Sequence, residues 1–455
     1  MRHKGHKSYL QFSYVLCFLH SSQVTFTINF TARNFLKLSS TVQLCTRLSC
    51  DLTRRMKSSS LEAKPKVIVI GGPTGVGKTK ISIQLAKLLN GEIISADSVQ
   101  VYHKLDVGSN KPSIEERSGI VHHLIDIVEP SYEFSAGEFF QRAREATESI
   151  LSRNKVPIVV GGTSMYVRWY IYGLPATPPA TDSVADHVSA VLEELGGNWN
   201  LAMELLEQLD PVRATKICRN DWYRLRRALE IYYATGKPLS ELPLQGGAPN
   251  PKKLLHGRLL NDLDYDFRCF FLVAPRKELN RYIDWRCERM IAQDGLLKEV
   301  FELLYKGELS KDSSAGRAIG YRQTIEYLTN RETNAMEQFM NYLRDFQNAS
   351  RQYARRQLQW YRGEELFHWV PVEIFSNNIS YVDPIQYIMH WFSASSEQYE
   401  ESINRRIDAT IREISLSQGR EMKTYTPELV LFQDQILINS TVQEARYFQT
   451  KLKEV

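Results

Sequence analysis

At 455 residues the chain is too long for a single hydrophobic core, so two or three domains are expected. A hydrophobic fraction of 43%, a charged fraction of 24% and a net charge of +5 are ordinary for a soluble globular protein and indicate no particular partner. No apolar run approaches the roughly 20 residues that a membrane helix needs, so no membrane association is expected. The six cysteines form neither a C-x-x-C pair nor a metal-binding spacing, which favours free thiols in a reducing compartment.

The first 65 residues differ in composition from the rest of the chain. No Asp or Glu occurs before Asp51, while basic residues are spread among Ser, Thr and aromatic residues. This composition is typical of an organellar transit peptide and predicts delivery to a plastid or a mitochondrion. The alternative is a disordered terminal segment without a targeting function. Translation from Met56 would give a shorter form without the presequence, which we expect in the cytoplasm.

A phosphate-binding motif lies between Lys66 and Thr79, which reads K-V-I-V-I-G-G-P-T-G-V-G-K-T. An apolar, β-branched run precedes G-x-x-x-x-G-K-T and an amphipathic helical pattern follows it, which favours a P-loop over a Gly-rich turn before an ordinary helix. Backbone N–H groups, the helix N-terminus and Lys78 would hold a diphosphate or triphosphate, and the Thr79 hydroxyl would hold Mg²⁺. The predicted phosphate-binding residues are Gly72, Pro73, Thr74, Gly75, Val76, Gly77, Lys78 and Thr79.

Two further predicted strands end in polar residues. Residues 92–95 precede A-D-S-V-Q-V-Y and residues 157–160 precede G-G-T-S-M-Y, with a predicted helix over residues 136–151 between them. Because ligands bind beyond the carboxyl ends of strands in open parallel sheets, Asp97 and Thr163 should face the P-loop ligand. Asp97 is a candidate general base or metal ligand, although an Asp after a strand is often a cap or turn residue. The alternation of strands and helices predicts a P-loop NTPase-like, doubly wound α/β core with a parallel sheet.

The acid that would complete a Mg²⁺ site opposite the P-loop is missing at the ends of the second and third strands. Asp126, in H-H-L-I-D-I, is the nearest candidate, and its run is short. A polar network or a surface role explains Asp126, His122 and His123 better than metal binding does. The missing acid argues against an ATPase or a kinase and leaves room for a P-loop that binds a diphosphate for another purpose.

A Pro-rich linker follows Gly173, and helical sequence then extends to about Thr235. Within it, basic residues are interleaved with Trp222 and Tyr223, a combination that suits a phosphate backbone with unstacked bases. A charge run is, however, often only a solvated helix face. The basic residues of this run are Arg213, Lys216, Arg219, Arg224, Arg226 and Arg227. A second series with helical spacing, open to the same two interpretations, consists of Arg344, Arg351, Arg355 and Arg362.

Seven motifs occur in an order that resembles one family. They are G-P-T-G-V-G-K-T, D-S-V-Q-V-Y, H-H-L-I-D-I, V-G-G-T-S-M-Y, R-L-R-R-A-L-E, A-I-G-Y-R-Q and A-R-R-Q-L-Q-W. Together they are similar to the tRNA dimethylallyltransferases, also called tRNA isopentenyltransferases, over residues 66–362. The chain most resembles the bacterial-type enzymes found in plants, in which a presequence and a C-terminal extension flank the core. It lacks the zinc finger of the yeast and animal type, because no cysteine follows Cys287.

The resemblance implies an activity and its substrates. Members of the family transfer a dimethylallyl group from dimethylallyl diphosphate to the exocyclic N6 amine of the adenine just 3′ of the anticodon, in tRNAs that read codons beginning with U. The modified tRNA is also a source of cis-type cytokinins. The resemblance therefore implies Mg²⁺ as the cofactor, with tRNA and dimethylallyl diphosphate as the partners of a monomer. It also explains a P-loop without a second acid, because the loop would bind a leaving diphosphate.

The resemblance also assigns roles to residues. Asp97 matches the base that takes a proton from the adenine amine, and Thr163 matches a residue that contacts the diphosphate near the bond that breaks. Arg317 and Arg322 would neutralise the diphosphate, because a planar guanidinium fits phosphate oxygens. The adenine, flipped out of the anticodon loop, would meet Asp97, Ser98, Val99 and Gln100. Other tRNA contacts would come from Tyr223, Arg224, Leu225, Arg226, Arg227, Arg355 and Arg356.

The pattern divides the chain into five parts. A presequence (1–65) precedes the first part of the α/β core (66–175), an inserted helical domain (176–245), the second part of the core (246–365) and a mostly helical C-terminal extension (366–455). In the extension, Tyr399, Ile403, Ile407 and Ile411 recur at every fourth position, which predicts a helix with one apolar face. This helix would pack on the core or bind a partner.

Two other classes of protein stay open on the sequence alone. An adenylate isopentenyltransferase of cytokinin biosynthesis, which prenylates AMP, ADP or ATP, would share the P-loop and Asp97 but would not need the basic middle segment. A P-loop protein without prenyl chemistry, such as a small-molecule kinase or an RNA-binding scaffold, is disfavoured by the ordered set of motifs.

Overall fold

The computed structural model describes residues 64–173, 181–242, 263–330, 332–374, 383–404, 422 and 425–454. Residues 1–63 of the predicted transit peptide, Met56 among them, and residues 174–180 of the Pro-rich linker lie outside the described ranges, as do Ile407 and Ile411. Within the described part of the chain, every helix is too short or too polar to cross a bilayer.

A six-stranded, wholly parallel sheet forms the core, as predicted from the alternation of strands and helices. Its spatial order is β3-β2-β4-β1-β5-β6: the chain moves from β1 outwards to β2 and β3, returns to place β4 between β2 and β1, and then adds β5 and β6 on the other side of β1. This is the doubly wound arrangement. The strands are β1 (Lys66–Gly71), β2 (Gly91–Ser95), β3 (His122–His123), β4 (Val156–Val160), β5 (Asp266–Val273) and β6 (Phe367–Pro371).

The strands form where the sequence has short β-branched runs. Residues 67–70 of β1 are fully buried between β4 and β5, with Ile68 opposite Ile158 on one side and Arg268 on the other. Each of these aliphatic side chains contributes about 1.5–3 kcal/mol by leaving water. Because both faces of the sheet are covered by helices, the run has no polar alternation.

The helices around the sheet begin and end near the predicted positions. The helix predicted over residues 136–151 spans Ala136–Ser152, because Ser135 and Glu138 form a reciprocal capping box at its first turn. The helices of the core are α1 (Lys78–Leu89), α2 (Ile114–Arg117), α3 (Ala136–Ser152), α4 (Ser164–Tyr172), α9 (Arg276–Ala292), α10 (Leu296–Tyr305), α11 (Tyr321–Thr329) and α12 (Ala335–Tyr361). Between α4 and α9 lie α5 (Asp182–Glu194), α6 (Trp199–Leu209), α7 (Pro211–Ala214) and α8 (Trp222–Thr235). After β6 come α13 (Pro384–Ser393), α14 (Ser396–Asn404) and α15 (Gln435–Lys451).

Helices α5 to α8 build a small hydrophobic core of their own. Val188, Leu206, Leu225 and Leu229 are fully buried there, separately from the core around the sheet. A helical unit inserted into the α/β core is therefore present, as predicted from the sequence.

The C-terminal part of the chain is integrated with the core. Strand β6 pairs with β5, so the sheet continues into the range that the sequence assigns to the extension. Tyr399 of α14 is buried, and its hydroxyl accepts a hydrogen bond from the N–H of Cys269 (2.7 Å) and donates one to the carbonyl of the same residue (3.1 Å). The predicted apolar helix face thus packs on the core at Tyr399.

The H-H-L-I-D-I motif forms a polar network, as predicted. His123 Nε2 lies 2.7 Å from a carboxylate oxygen of the buried Glu92, which Arg153 and Lys155 also bind. The Arg153 guanidinium is the main reason that the pKa of Glu92 is far below its usual value. Asp126 binds Lys111 Nζ at 2.5 Å. These side chains therefore tie the β2–β3 edge of the sheet together.

Candidate active site

The ends of three adjacent strands bring the predicted site residues together. Strand β1 leads into the P-loop, β4 into Gly161–Thr163, and β2 into Asp97, and the sheet order makes these strands neighbours. Gly161 is required here, because a Cβ at this position would lie 2.0 Å from the Ala96 carbonyl oxygen. The Thr163 hydroxyl accepts a hydrogen bond from the Ser98 N–H (3.1 Å) and so joins the ends of β4 and β2.

The P-loop wraps around its own lysine. Gly77 ends the loop with φ 92°, a left-handed conformation that glycine adopts freely, and α1 starts directly after it. Lys78 Nζ donates to the carbonyls of Gly72 (2.9 Å) and Pro73 (2.8 Å). Burial lowers the pKa of Lys78 to about 8, and the nearby Asp97 carboxylate opposes that shift. An anion in the loop would further stabilise the charged ammonium.

Two cavities meet at the carboxyl edge of the sheet. The P-loop cavity has a volume of about 530 Å³ and contains Thr74, Gly75, Gly77, Lys78 and Thr79 in its walls. The second cavity, of about 470 Å³, has the apolar and aromatic side chains of Val99, Tyr102, Phe134, Met290, Ile319, Phe346 and Tyr353 in its walls. The residues that border both cavities are Thr74, Asp97, Ser109, Asn110 and Arg286.

Asp97 lies at this junction and keeps one carboxylate oxygen available. Its Oδ1 accepts hydrogen bonds from the N–H groups of Val99 (2.9 Å) and Gln100 (3.4 Å), which is the turn-capping role that the sequence left open. Oδ2 has no hydrogen-bond partner among the described residues. Asp97 therefore combines a fixed orientation with a free acceptor aimed at the cavities.

Arg286 of α9 also borders both cavities, and the sequence-based assignment missed it. Its Nη2 donates to the Thr74 hydroxyl (2.7 Å), while its buried Nε has no partner in the part of the chain that the structure describes. It forms no ion pair with any described carboxylate, and burial lowers its pKa. A buried, incompletely bonded guanidinium beside a P-loop is suited to a phosphate group. Arg286 lies in an ordinary amphipathic helix outside the recognised motifs, so no local sequence pattern marks it as a phosphate ligand.

Gln357 was also missed, although it lies inside the A-R-R-Q-L-Q-W motif. Its side-chain amide accepts a hydrogen bond from the Thr74 N–H (2.9 Å) and donates one to the Gly162 carbonyl (2.8 Å). A buried amide with both ends bonded fixes the P-loop relative to the end of β4.

Ser98, Val99, Gln100 and Thr163 lie at or behind the cavity walls. Ser98 and Val99 border the second cavity, and Gln100 borders the P-loop cavity. The Gln100 side chain also accepts a hydrogen bond from the Ser95 hydroxyl (3.0 Å). Thr163 borders neither cavity and acts in this structure through its contacts with Ser98.

Four of the arginines predicted to bind phosphate or tRNA, Arg317, Arg322, Arg355 and Arg356, separate in space. Arg317 and Arg356 border the second cavity rather than the P-loop cavity. Arg322 lies on the exposed side of α11 and borders neither cavity, so the structure does not support its assignment as a diphosphate ligand. The helix that begins at Tyr321 turns this side chain towards solvent. Arg355 is exposed near Arg276, whose pKa is lowered by burial and by Arg355.

The predicted tRNA-binding run on α8 has one residue that points inwards. Leu225 is 0% exposed in the core of the helical unit, so its assignment as a tRNA contact is wrong. Helical periodicity places it on the face opposite Tyr223, which is 81% exposed. Arg226 is tied to Ser189 of α5 and to Glu230, and Arg227 also binds Glu230. Arg224 is exposed and pairs with Asp221 at 2.7 Å.

The residues around Thr79 fit a magnesium ion that is shared with a ligand. Thr79 borders the P-loop cavity, where its hydroxyl offers one oxygen ligand. The described residues contain no cluster of three His, Cys, Asp or Glu side chains that would form a metal cage. Mg²⁺ is often held by one or two protein oxygens while phosphate oxygens and water complete its shell.

Comparisons with known proteins identify the family of this chain. The IPP transferase family model matches residues 100–364, more than half of the chain. The tRNA dimethylallyltransferase 9 of Arabidopsis thaliana is 40% identical over 83% of this chain and 85% of its own length. The tRNA dimethylallyltransferase of Protochlamydia amoebophila is 39% identical over 70% of this chain and 88% of its own.

A solved structure supports the same conclusion. A eukaryotic dimethylallyltransferase acting on tRNA superposes with a TM-score of 0.54 at 28% identity, covering 75% of this chain and 80% of the other. The match to the Arabidopsis protein spans 83% of this chain, and the fold of the solved structure agrees with it. This chain is therefore a member of the tRNA dimethylallyltransferase family.

Proposed function

We propose that this protein transfers a dimethylallyl group from dimethylallyl diphosphate to the N6 amine of an adenine next to the anticodon of tRNA. The observation that carries the proposal is the position of Asp97. It lies where a P-loop cavity rich in cationic groups meets a second cavity with aromatic walls. A donor and an acceptor entering from the two sides would meet at this carboxylate.

The P-loop side suits the donor's diphosphate. Lys78, Arg286 and the N-terminus of α1 supply positive charge around it, and Thr79 would hold Mg²⁺. When bound, the metal would neutralise part of the charge that collects on the departing diphosphate. Gln357 keeps the loop in place through Thr74. These groups stabilise the charge on the oxygen when the bond to the prenyl carbon breaks.

The second side suits an adenine that has left the anticodon stack. Tyr102, Phe134, Phe346 and Tyr353 provide aromatic surface for a flipped base and an apolar prenyl group. The exocyclic nitrogen forms a bond to the prenyl carbon as the carbon–oxygen bond to diphosphate breaks. Asp97 Oδ2 takes the proton that the nitrogen loses, because an adenine amine with a delocalised lone pair is a poor nucleophile without a base.

Exposed groups outside the cavities support contact with the rest of the tRNA. Tyr223 and Arg224 project from the helical unit, and the exposed Arg355 of α12 lies near the partly buried Arg276 at the start of α9. Positively charged side chains on these surfaces suit the phosphate backbone of an RNA. We propose that these surfaces bind the anticodon stem-loop and that a monomer is sufficient.

The test is a competition between acceptors. Radiolabelled dimethylallyl diphosphate is offered with either an anticodon stem-loop RNA or AMP, and label is expected only in the RNA. In the same assay Tyr223→Ala should raise the KM for RNA and leave the KM for the donor unchanged. Lys451→Gln, which removes an exposed charge on α15, serves as a control. Label in AMP and none in RNA would assign the protein to the adenylate isopentenyltransferases.

The affinity for the donor is expected to fall as the pH rises above about 8. The pKa of Lys78 is about 8 in the free protein, and a bound diphosphate raises it. Binding at higher pH therefore requires proton uptake, so the KM for the donor should rise by up to about tenfold per pH unit. The diphosphate is already ionised in this range, because phosphate second ionisations occur near pH 6. A donor KM that stays constant between pH 7 and 9.5 would contradict this assignment.

A further inference from the structure

Two buried carboxylates on α9 bind the C-terminal segment of the chain. Glu288 is 0% exposed and accepts hydrogen bonds from three consecutive backbone N–H groups, those of Val430, Leu431 and Phe432, at 2.7–3.2 Å. Asp284 accepts a hydrogen bond from the Tyr425 hydroxyl (2.6 Å) and pairs with Arg351 of α12. None of these contacts belongs to the cavities described above.

The two acids lie on the same helix as Arg286, which borders both cavities of the active site. Asp284 and Glu288 are four residues apart and share one face of α9, while Arg286 lies between them on the opposite face. Tyr282 and Met290, four residues on either side of Arg286, border the cavities as well. One face of α9 therefore binds the C-terminal segment while the other contributes to both cavities.

Two buried acids one helical turn apart repel each other, so other groups must offset the repulsion and the loss of hydration. Like charges four residues apart on a helix destabilise it, and buried carboxylates need hydrogen-bond donors. Arg351, the Tyr425 hydroxyl and three backbone N–H groups meet this need. The arginine series on α12 is therefore not uniformly a solvated or RNA-binding face, because Arg351 points at α9.

The C-terminal segment is itself anchored to other elements. Phe432 is buried against Phe339 of α12, with ring centroids 5.0 Å apart. Phe448 of α15 stacks on Phe301 of α10 at 4.4 Å. Gln449 Nε2 donates to the Tyr327 carbonyl of α11 (2.8 Å). Residues 425–434 are thus held at one end by α15 and along their length by α9 and α12.

We propose that residues 425–451 are a positioning element of the donor site, which holds α9 so that Arg286 stays beside Thr74 at the P-loop. The proposal rests on the proposed function, because it takes the diphosphate of the donor as the ligand of Arg286. Asp284, Glu288 and Tyr425 act as positioning residues and do not touch the substrate. The C-terminal segment therefore affects the affinity for the donor and leaves the affinity for tRNA unchanged.

The test uses Tyr425→Phe and Glu288→Gln in the full-length chain. The first removes one hydroxyl, and the second keeps the side-chain shape while removing the charge that three N–H groups bind. Inorganic pyrophosphate binding, measured by calorimetry, should weaken by about 3–10-fold in Tyr425→Phe and by about tenfold in Glu288→Gln. The KM for the donor should rise by the same factors while the KM for tRNA stays constant.

Two further measurements separate positioning from loss of stability. Ile150→Val loosens α3 on the sheet, away from α9 and the C-terminal segment, so it should lower the melting temperature and leave pyrophosphate affinity unchanged. In an Arg286→Lys background, Tyr425→Phe should have no additional effect on pyrophosphate binding, because both act through the same contact. Additive effects, or donor and tRNA KM values that rise together, would overturn the proposal. Because pyrophosphate binding needs no catalysis, a wild type without prenyl transfer would contradict the proposed function separately.

Discussion

Asp97→Asn is expected to lower the rate of prenyl transfer by about 10²–10⁴-fold, the range typical of a lost general base. An asparagine keeps the Oδ1 that caps the N–H groups of Val99 and Gln100, so the turn after β2 should persist. It cannot accept the proton that the adenine nitrogen releases. Single-turnover rates with saturating stem-loop RNA and donor measure the effect on the chemical step.

The loss should be confined to the chemical step. Pyrophosphate affinity, measured by calorimetry, should be nearly that of the wild type, because the cationic groups of the P-loop cavity remain. Asp106→Asn is a matched control, since Asp106 is exposed, pairs with Lys111 and borders neither cavity. It should change the rate less than about twofold, because the Asp106 carboxylate is exposed and Lys111 keeps its contact with Asp126. An Asp97→Asn enzyme with full activity would remove Asp97 from the mechanism.

Arg286→Met is expected to weaken donor and pyrophosphate binding by roughly 10²-fold, as expected for truncating a buried charged partner of a phosphate. Among the described residues the guanidinium has only Thr74 as a hydrogen-bond partner and leaves Nε unbonded, so it gains hydrogen bonds when a diphosphate binds. Arg286→Lys should recover part of the affinity, because a lysine supplies the charge but not the planar fork.

The neighbouring Arg289 provides the control for this variant. It lies one turn further along α9, pairs with Asp294 at 3.0 Å and borders neither cavity. Arg289→Met should leave pyrophosphate affinity within about twofold of the wild type. The melting temperature of Arg286→Met should not fall by more than that of Arg289→Met, because an unpaired buried charge is removed. Equal pyrophosphate affinity in both variants would exclude Arg286 from the donor site.

The predicted tRNA-binding run on α8 shows that a sequence motif does not tell which of its side chains are exposed. The segment Y-R-L-R-R was assigned as a unit, yet the structure points Leu225 into a core and ties Arg226 to Ser189. Tyr223 and Arg224 are the members with a free outer surface. A helix always distributes consecutive residues around its axis, so at most part of a continuous run can face one partner.

The amino-acid sequence by itself determined the P-loop, the parallel α/β core and the position of Asp97 after a strand. These features are local, because a buried strand, a glycine turn and a helix start are each specified by a few adjacent residues. Alternation of strands and helices then restricts the sheet to a parallel one.

Only the tertiary structure decided which distant residues complete the site. Arg286 meets Thr74 across more than 200 positions, Gln357 joins the P-loop to Gly162, and Tyr425 reaches Asp284 on the far side of α9. Helical periodicity tells which residues share a face, but it does not tell which element that face will meet. The packing of α9 between the P-loop and the C-terminal segment determines which element each of its faces contacts. Burying the charged groups of α9 is favourable only where other elements supply hydrogen-bond partners.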